Sequence, residues 1–275
     1  MDIWQAVILG IVEGLTEFLP VSSTGHLTIT EKLLDLPVDD PAVTAFTAVI
    51  QVGAIAAVIL YFAKDIGRLI AAFFRGLFSK PARQEFDYRF AWYVIAGSVP
   101  IGVAGLLGKD LITGPLRSLW VVAIALIAWS GVMVFAEWAA TQTRSEKDLR
   151  LVDVVVIGLA QCIALIPGVS RSGATISVGL LRDLDRVSAT RLSFFLSIPA
   201  LTAAGAYELK DALSGSIGVA PLVVGTVVSF LVAYASVAWL LRFVAHHTLA
   251  AFVWYRVALG TLLIVALSAG WIAAT

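Results

Sequence analysis

Two carboxylates four residues apart inside an apolar run are the first sign of chemistry in this sequence. Glu13 and Glu17 lie in LGIVEGLTEFLP, and on a helix such a pair shares one face with Cβ atoms about 6 Å apart. Acids at membrane depth are functional by default. Adjacent carboxylates repel, and a hard divalent cation, Mg²⁺ or Ca²⁺, relieves this with oxygen ligands. The bland alternative is a pair at the membrane surface that faces water. Just beyond lies VSSTGH. Ser22, Ser23 and Thr24 supply hydroxyls, and Gly25 lets backbone N–H groups approach a ligand closely. A helix starting at His26 or Leu27 would present its N-terminal N–H groups to an anion, although the same SSTG can simply cap a helix. His26 suits proton transfer or nucleophilic attack.

A second polar stretch, PGVSRSGAT at 167–175, places Arg171 between Ser170 and Ser172, followed by Gly173. A guanidinium fork matches phosphate oxygens and stays charged. Arg171 can bind phosphate, neutralise Glu13 or Glu17, or do each at a different stage. Gln161 stands as a further hydrogen-bonding group for ligand or ion. Acids for a metal, hydroxyls and N–H groups for oxygens, an arginine for charge and a histidine for protons make up the inventory of phosphoryl chemistry.

These groups must be held in a membrane. Of the 275 residues 60% are hydrophobic and 14% charged, with a mean hydropathy of +0.94, too few charges to cover a water-facing surface. The zero net charge and the lack of a basic patch argue against nucleic acid. One cysteine, Cys162, excludes an internal disulfide and a thiolate-rich metal site; it reads as a helix filler. The opening Met1-Asp2-Ile3-Trp4 has no positive n-region, so no signal peptide is expected. A single membrane domain over 1–275 is expected.

Six stretches are long enough to span: about 42–63, 88–107, 116–138, 188–207, 217–241 and 252–272. Tyr61, Trp120, Trp138, Trp239, Trp254 and Trp271 mark their ends as interfacial anchors. The segment 66–78, with Arg68 and Arg75, reads as an amphipathic interfacial helix. Residues 3–19 and 151–166 are shorter and run into Pro20 and Pro167. Irregular backbone survives at membrane depth only inside protein or along a wet cavity, so each reads as a re-entrant helix–loop–helix.

A shift of 148 positions lays LGIVEGLTEFLPVSSTG (9–25) over IGLAQCIALIPGVSRSG (157–173) without a gap. Gly10, Val21, Ser22 and Gly25 recur as Gly158, Val169, Ser170 and Gly173; Glu13 faces Gln161, and Thr24 faces Ser172. Three spans follow each segment, so two repeats are expected, about 1–140 and 150–275. An odd number of spans inverts the second, and the two polar loops then meet near the midplane. The loops 64–89, 139–150, 182–191 and 242–251 carry 13 of the 19 Lys and Arg residues, against Lys32, Lys109, Arg117 and Lys210 on the other side. The positive-inside rule makes the first set cytoplasmic and both termini external.

EGLTEFLPVSSTGH at 13–26 and PGVSRSGAT at 167–175 resemble the two signature regions of the bacitracin-resistance type undecaprenyl-diphosphate phosphatases, and the likeness in length, span order and motifs covers the whole chain. The resemblance implies an inner-membrane enzyme that removes the terminal phosphate of undecaprenyl diphosphate, yielding the monophosphate carrier for bacterial cell-wall synthesis. It implies that Glu13 and Glu17 are the acidic pair used with a divalent cation, that Ser23 and His26 are the essential serine and histidine, and that Arg171 is the second motif's arginine. Ser23 assisted by His26, His26 itself and a metal-bound water all stay open as nucleophile. Expected partners are a polyprenyl diphosphate entering from the outer leaflet and membrane lipids; a homodimer stays open. The rival expectation is a transporter or flippase of a polyprenyl phosphate, since inverted repeats with broken helices also build carriers.

Overall fold

A computed structural model describes residues 1–38, 40–108, 111, 116, 118–214 and 217–274, with backbone only for 207–214. Its elements are α1 (Ile3–Thr16), α2 (Ser23–Leu33), α3 (Pro41–Tyr61), α4 (Ala63–Phe78), α5 (Phe86–Leu107), α6 (Leu119–Ala139), α7 (Leu151–Ile163), α8 (Arg171–Leu181), α9 (Arg186–Ser214), α10 (Val219–His246) and α11 (Ala250–Ser268). No strand forms among the described residues. Six of these helices, α3, α5, α6, α9, α10 and α11, are long and apolar enough to cross a membrane, and they coincide with the six expected spans.

The two short apolar helices are followed by short helices that turn back. Gln5 near the start of α1 donates through Nε2 to the carbonyl of Leu34 at the end of α2, 3.3 Å away. At positions 148 further on, Asp153 near the start of α7 accepts from Arg182 at the end of α8, 2.8 Å away. Each pair thus closes a hairpin whose entry and exit lie together. The two hairpin mouths have different neighbours. Arg144 ties Asp153 to the 139–150 loop, and Arg191 ties that loop, through Glu146, to Asp65. The Leu249 N–H reaches Glu137, which also holds Arg186. All four arginine-bearing loops therefore meet at one end. At the other end Lys32 donates to the Ala273 carbonyl and the Leu119 N–H to that of Ala274. Lys109, Arg117 and the side chain of Lys210, used in the orientation argument, lie outside the described residues.

Close backbone approach fixes the crossings. A Cβ on Gly10 of α1 would collide with the Gly225 carbonyl of α10, and one on Gly158 of α7 with the Gly97 carbonyl of α5. Glycine is needed at both positions for the same reason. The helix α4 contains the expected amphipathic segment: Ile70, Phe74, Leu77 and Phe78 are exposed, while Arg68 pairs with Asp65 and Asp87.

Candidate active site

The helix α2 begins at Ser23, ahead of the expected start at His26 or Leu27, and Arg171 is the first residue of α8. The cause is the same in both hairpins. Ser22 and Ser170 take φ values of 76° and 77°, a region that side-chain-bearing residues seldom occupy. That turn ends the preceding segment abruptly. Each serine then caps the new helix, Ser22 Oγ accepting from the Gly25 N–H at 3.4 Å and Ser170 Oγ from the Gly173 N–H at 3.1 Å. Ser23 and Thr24 thereby join the first turn, and the two helix N-termini become the polar heart of the fold.

The caps also join the hairpins. Ser22 Oγ accepts a second hydrogen bond, 3.0 Å, from the N–H of Gly168, while Ser172 Oγ donates to the Leu19 carbonyl at 2.9 Å and shares a hydrogen bond with Ser170 Oγ at 3.1 Å.

Glu17 is the point where the two motifs meet. Its Oε1 accepts from Nη2 of Arg171 at 3.0 Å, and its Oε2 from the hydroxyl of Ser23 at 2.5 Å. One carboxylate, its side chain 4% exposed, therefore couples the serine of the first hairpin to the arginine of the second. Both oxygens of buried Glu13, and Nε and Nη1 of Arg171, have no partner among the described residues. Unsatisfied buried charge of both signs in one place is costly unless a ligand supplies the missing partners. Two free N–H directions on a guanidinium suit phosphate oxygens, and two lone carboxylate oxygens suit a cation.

The donor set fits a hard divalent cation of the Mg²⁺ kind, which takes one or two carboxylates and completes its shell with phosphate oxygens and water. Glu13 and Glu17 would hold it. No group of three or more His, Cys, Asp or Glu residues that could hold a metal ion occurs among the described residues.

The imidazole of His26 stands outside the Ser23–Glu17–Arg171 chain of contacts. Its Nδ1 lies 2.7 Å from the Ser22 carbonyl, and its Nε2 lies 2.6 Å from the hydroxyl of Tyr255. Ser23 is bonded to Glu17 and not to the histidine. Thr24 is exposed beside them, Gly25 is buried, and its added Cβ would collide with Val122. Gln161, equivalent in position to Glu13, donates to the Gly97 carbonyl at 3.0 Å and leaves its Oε1 without a partner.

Arg256 lies within α11, the last of the six long apolar helices. It is wholly buried and donates to the carbonyls of Pro20 at 3.1 Å, Gly168 at 2.9 Å and Ala125 at 3.4 Å, and to Ser130 Oγ at 3.2 Å. One side chain on α11 thus holds the loop of each hairpin and two levels of α6. The available signal was the lone charge in FVWYRVALG, an intramembrane arginine without an acid at helical spacing.

The model of the family described as bacitracin resistance protein BacA matches residues 6–262. The chain belongs to this family. It is 60% identical over 271 residues to undecaprenyl-diphosphatase 1 of Frankia alni, and 60% identical over 271 residues to undecaprenyl-diphosphatase 1 of Streptomyces coelicolor, with 98% of each chain covered in both cases. The undecaprenyl-diphosphatase of Acidothermus cellulolyticus is 58% identical over 267 residues, 97% of each chain. In this BacA-family chain the family match takes in the polar loops of both hairpins and Tyr255–Arg256 alike.

Proposed function

We propose that this chain hydrolyses undecaprenyl diphosphate to undecaprenyl phosphate and inorganic phosphate, recycling the lipid carrier of bacterial cell-wall synthesis. The observation that carries the reading is the Ser23–Glu17–Arg171 chain of contacts beside the unpartnered oxygens of Glu13. Relatives named undecaprenyl-diphosphatase support the substrate. They do not favour the rival expectation of lipid translocation, for which neither a poised hydroxyl nor an acid pair is needed.

The terminal phosphate sits against Nε and Nη1 of Arg171 and the N-terminal N–H groups of α2 and α8. Ser23 Oγ attacks phosphorus in line, its proton passing to Glu17 along the existing 2.5 Å hydrogen bond as the bond to the bridging oxygen breaks and the lipid monophosphate leaves. Water then attacks the phosphoserine, releasing orthophosphate and restoring the hydroxyl. When bound, a divalent cation at Glu13 and Glu17 draws off charge from the phosphate oxygens. Attack by His26 is the alternative, and it requires Tyr255 to give up Nε2.

The architecture belongs to the same proposal: an inverted repeat with two re-entrant hairpins entering from opposite faces. It is supported by the equivalent closures Gln5–Leu34 and Asp153–Arg182 at opposite ends, by the equivalent crossings at Gly10 and Gly158, and by the matched caps at Ser22 and Ser170. The gathering of the basic loops at one end supports a cytoplasmic location for that end. In the bacterial inner membrane the site then opens toward the outer face.

Phosphate release from a short polyprenyl diphosphate in detergent, with and without chelator, tests the reaction; intact lipid moved between leaflets of proteoliposomes with no orthophosphate formed would instead identify a carrier. Quenched turnover followed by mass spectrometry is expected to yield phosphoserine at Ser23, and an adduct on His26 would transfer the nucleophile's role. Replacing one ligand charge weakens oxygen-cage sites by decades. Glu13→Gln should therefore raise the cation concentration for half-maximal rate on the order of tenfold or more, and an unchanged titration would remove Glu13 from the cation site.

A further inference from the structure

The position of His26 carries one inference beyond the reaction itself, and it rests on the hydrolytic reading above. The Ser22 carbonyl can only accept, so the imidazole must donate to it from Nδ1 at 2.7 Å. A neutral ring then carries its lone pair on Nε2, where the Tyr255 hydroxyl sits 2.6 Å away. The two rings lie nearly parallel, 13° apart, with centroids at 5.5 Å. The imidazole is thus fixed in plane, in tautomer and in direction. Tyr255 is 47% exposed.

The hydrogen bond of Ser23 to Glu17 gives this arrangement its meaning. The serine already has an acceptor for its proton, and the basic nitrogen of His26 points elsewhere, at a hydroxyl. We infer that Tyr255 is a positioning residue: together with the Ser22 carbonyl it holds His26 in the Nδ1–H form with the Nε2 lone pair fixed in one direction, ready for a water hydroxyl that takes the place of Tyr255's own. A general base works only when its lone pair is within hydrogen-bond reach of the proton it takes, and an unconstrained imidazole prefers to carry that proton on Nε2. Tyr255 is the group that replaces free rotation with one usable orientation. Its neighbour Arg256 serves the loops and Tyr255 the ring, so consecutive residues of α11 set two features of the same centre.

The test uses the full chain with His246→Gln and His247→Gln, which leaves His26 as the single imidazole. In ¹⁵N-histidine-labelled protein the ring is expected to show a protonated Nδ1 and an unprotonated, hydrogen-bonded Nε2. Tyr255→Phe keeps the ring and removes the hydroxyl. It is expected to move the Nε2 resonance toward that of a free pyridine-type nitrogen and to lower kcat about tenfold, the size of one hydrogen bond, with KM unchanged. A protonated Nε2 in the parent protein overturns the inference even where the Phe variant cannot be purified. So does an unchanged kcat in a folded Tyr255→Phe protein, or a raised KM with kcat intact, which would make Tyr255 a lipid contact. Full activity in His26→Gln would defeat the catalytic role of the histidine while leaving the parent's resonance pattern intact, so the two failures are distinguishable.

Discussion

Arg171→Ala is expected to lower the rate of phosphate release on the order of 10³-fold, a loss of several kcal/mol of transition-state binding. The side chain is 10% exposed, gives one N–H to Glu17, and leaves Nε and Nη1 without partners at the mouth of two helix N-termini. The same cut removes the counter-charge of Glu17, so the carboxylate beside Ser23 is left buried and unpaired. Arg171→Lys keeps the charge but not the fork, and a point charge cannot hold Glu17 and two phosphate oxygens in one plane. Its rate should recover only part of the loss. A wild-type rate in Arg171→Ala, measured on a polyprenyl diphosphate in detergent, would rule out this role.

The second large effect belongs to Arg256. Arg256→Met leaves the carbonyls of Pro20, Gly168 and Ala125 without the donor that serves them. Hydrogen bonds from a charged donor contribute about 1.5–3 kcal/mol each, though partners found by the unfolded chain within lipid reduce such values. A destabilisation on the order of 3–5 kcal/mol follows. Because the orphaned carbonyls belong to both loops, the Ser23–Glu17–Arg171 contacts should loosen with them, and activity should fall at least a hundredfold at temperatures where the protein stays folded. Thermal unfolding in detergent beside phosphate release checks both parts. A variant with unchanged melting and unchanged rate would show that the Gly168–Ser22 and Ser172–Leu19 hydrogen bonds suffice to hold the hairpins together.

The legible residues were those whose type conflicts with their setting. Glu13, Glu17 and Arg171 are charges in apolar or glycine-rich runs, and the polar VSSTGH and GVSRSG stretches interrupt what would otherwise be spans. The six spanning helices followed from length and hydropathy alone. The start of α2 did not, because it is set by the positive φ of Ser22 rather than by a proline or glycine, and a serine announces nothing about that angle. The contacts of Arg256 were invisible for another reason. Its partners are mostly backbone carbonyls, which every residue carries, so no spacing in the sequence points to them. Nothing in the sequence sets Tyr255 apart from Trp254 beside it. Only its 2.6 Å contact with a residue 229 positions earlier gives it a separate role. Ser23 assisted by His26 was one of three choices left open for the nucleophile; the serine's place in the first turn of α2, with its hydroxyl bonded to Glu17, could not be read from the sequence.

The matched hairpins differ at the positions that matter. Across the shift of 148, Glu13 answers to Gln161, Glu17 to Leu165, Ser23 to Arg171 and His26 to Ala174. The labour is divided between the two hairpins: the first carries the acids, the serine and the histidine, and the second carries the guanidinium. Two copies of the first half would crowd four acids around one point with nothing to offset them, and two copies of the second would present paired arginines and no nucleophile. The two hairpins are therefore complementary rather than interchangeable, and a symmetric pair of either one could not stand in for them.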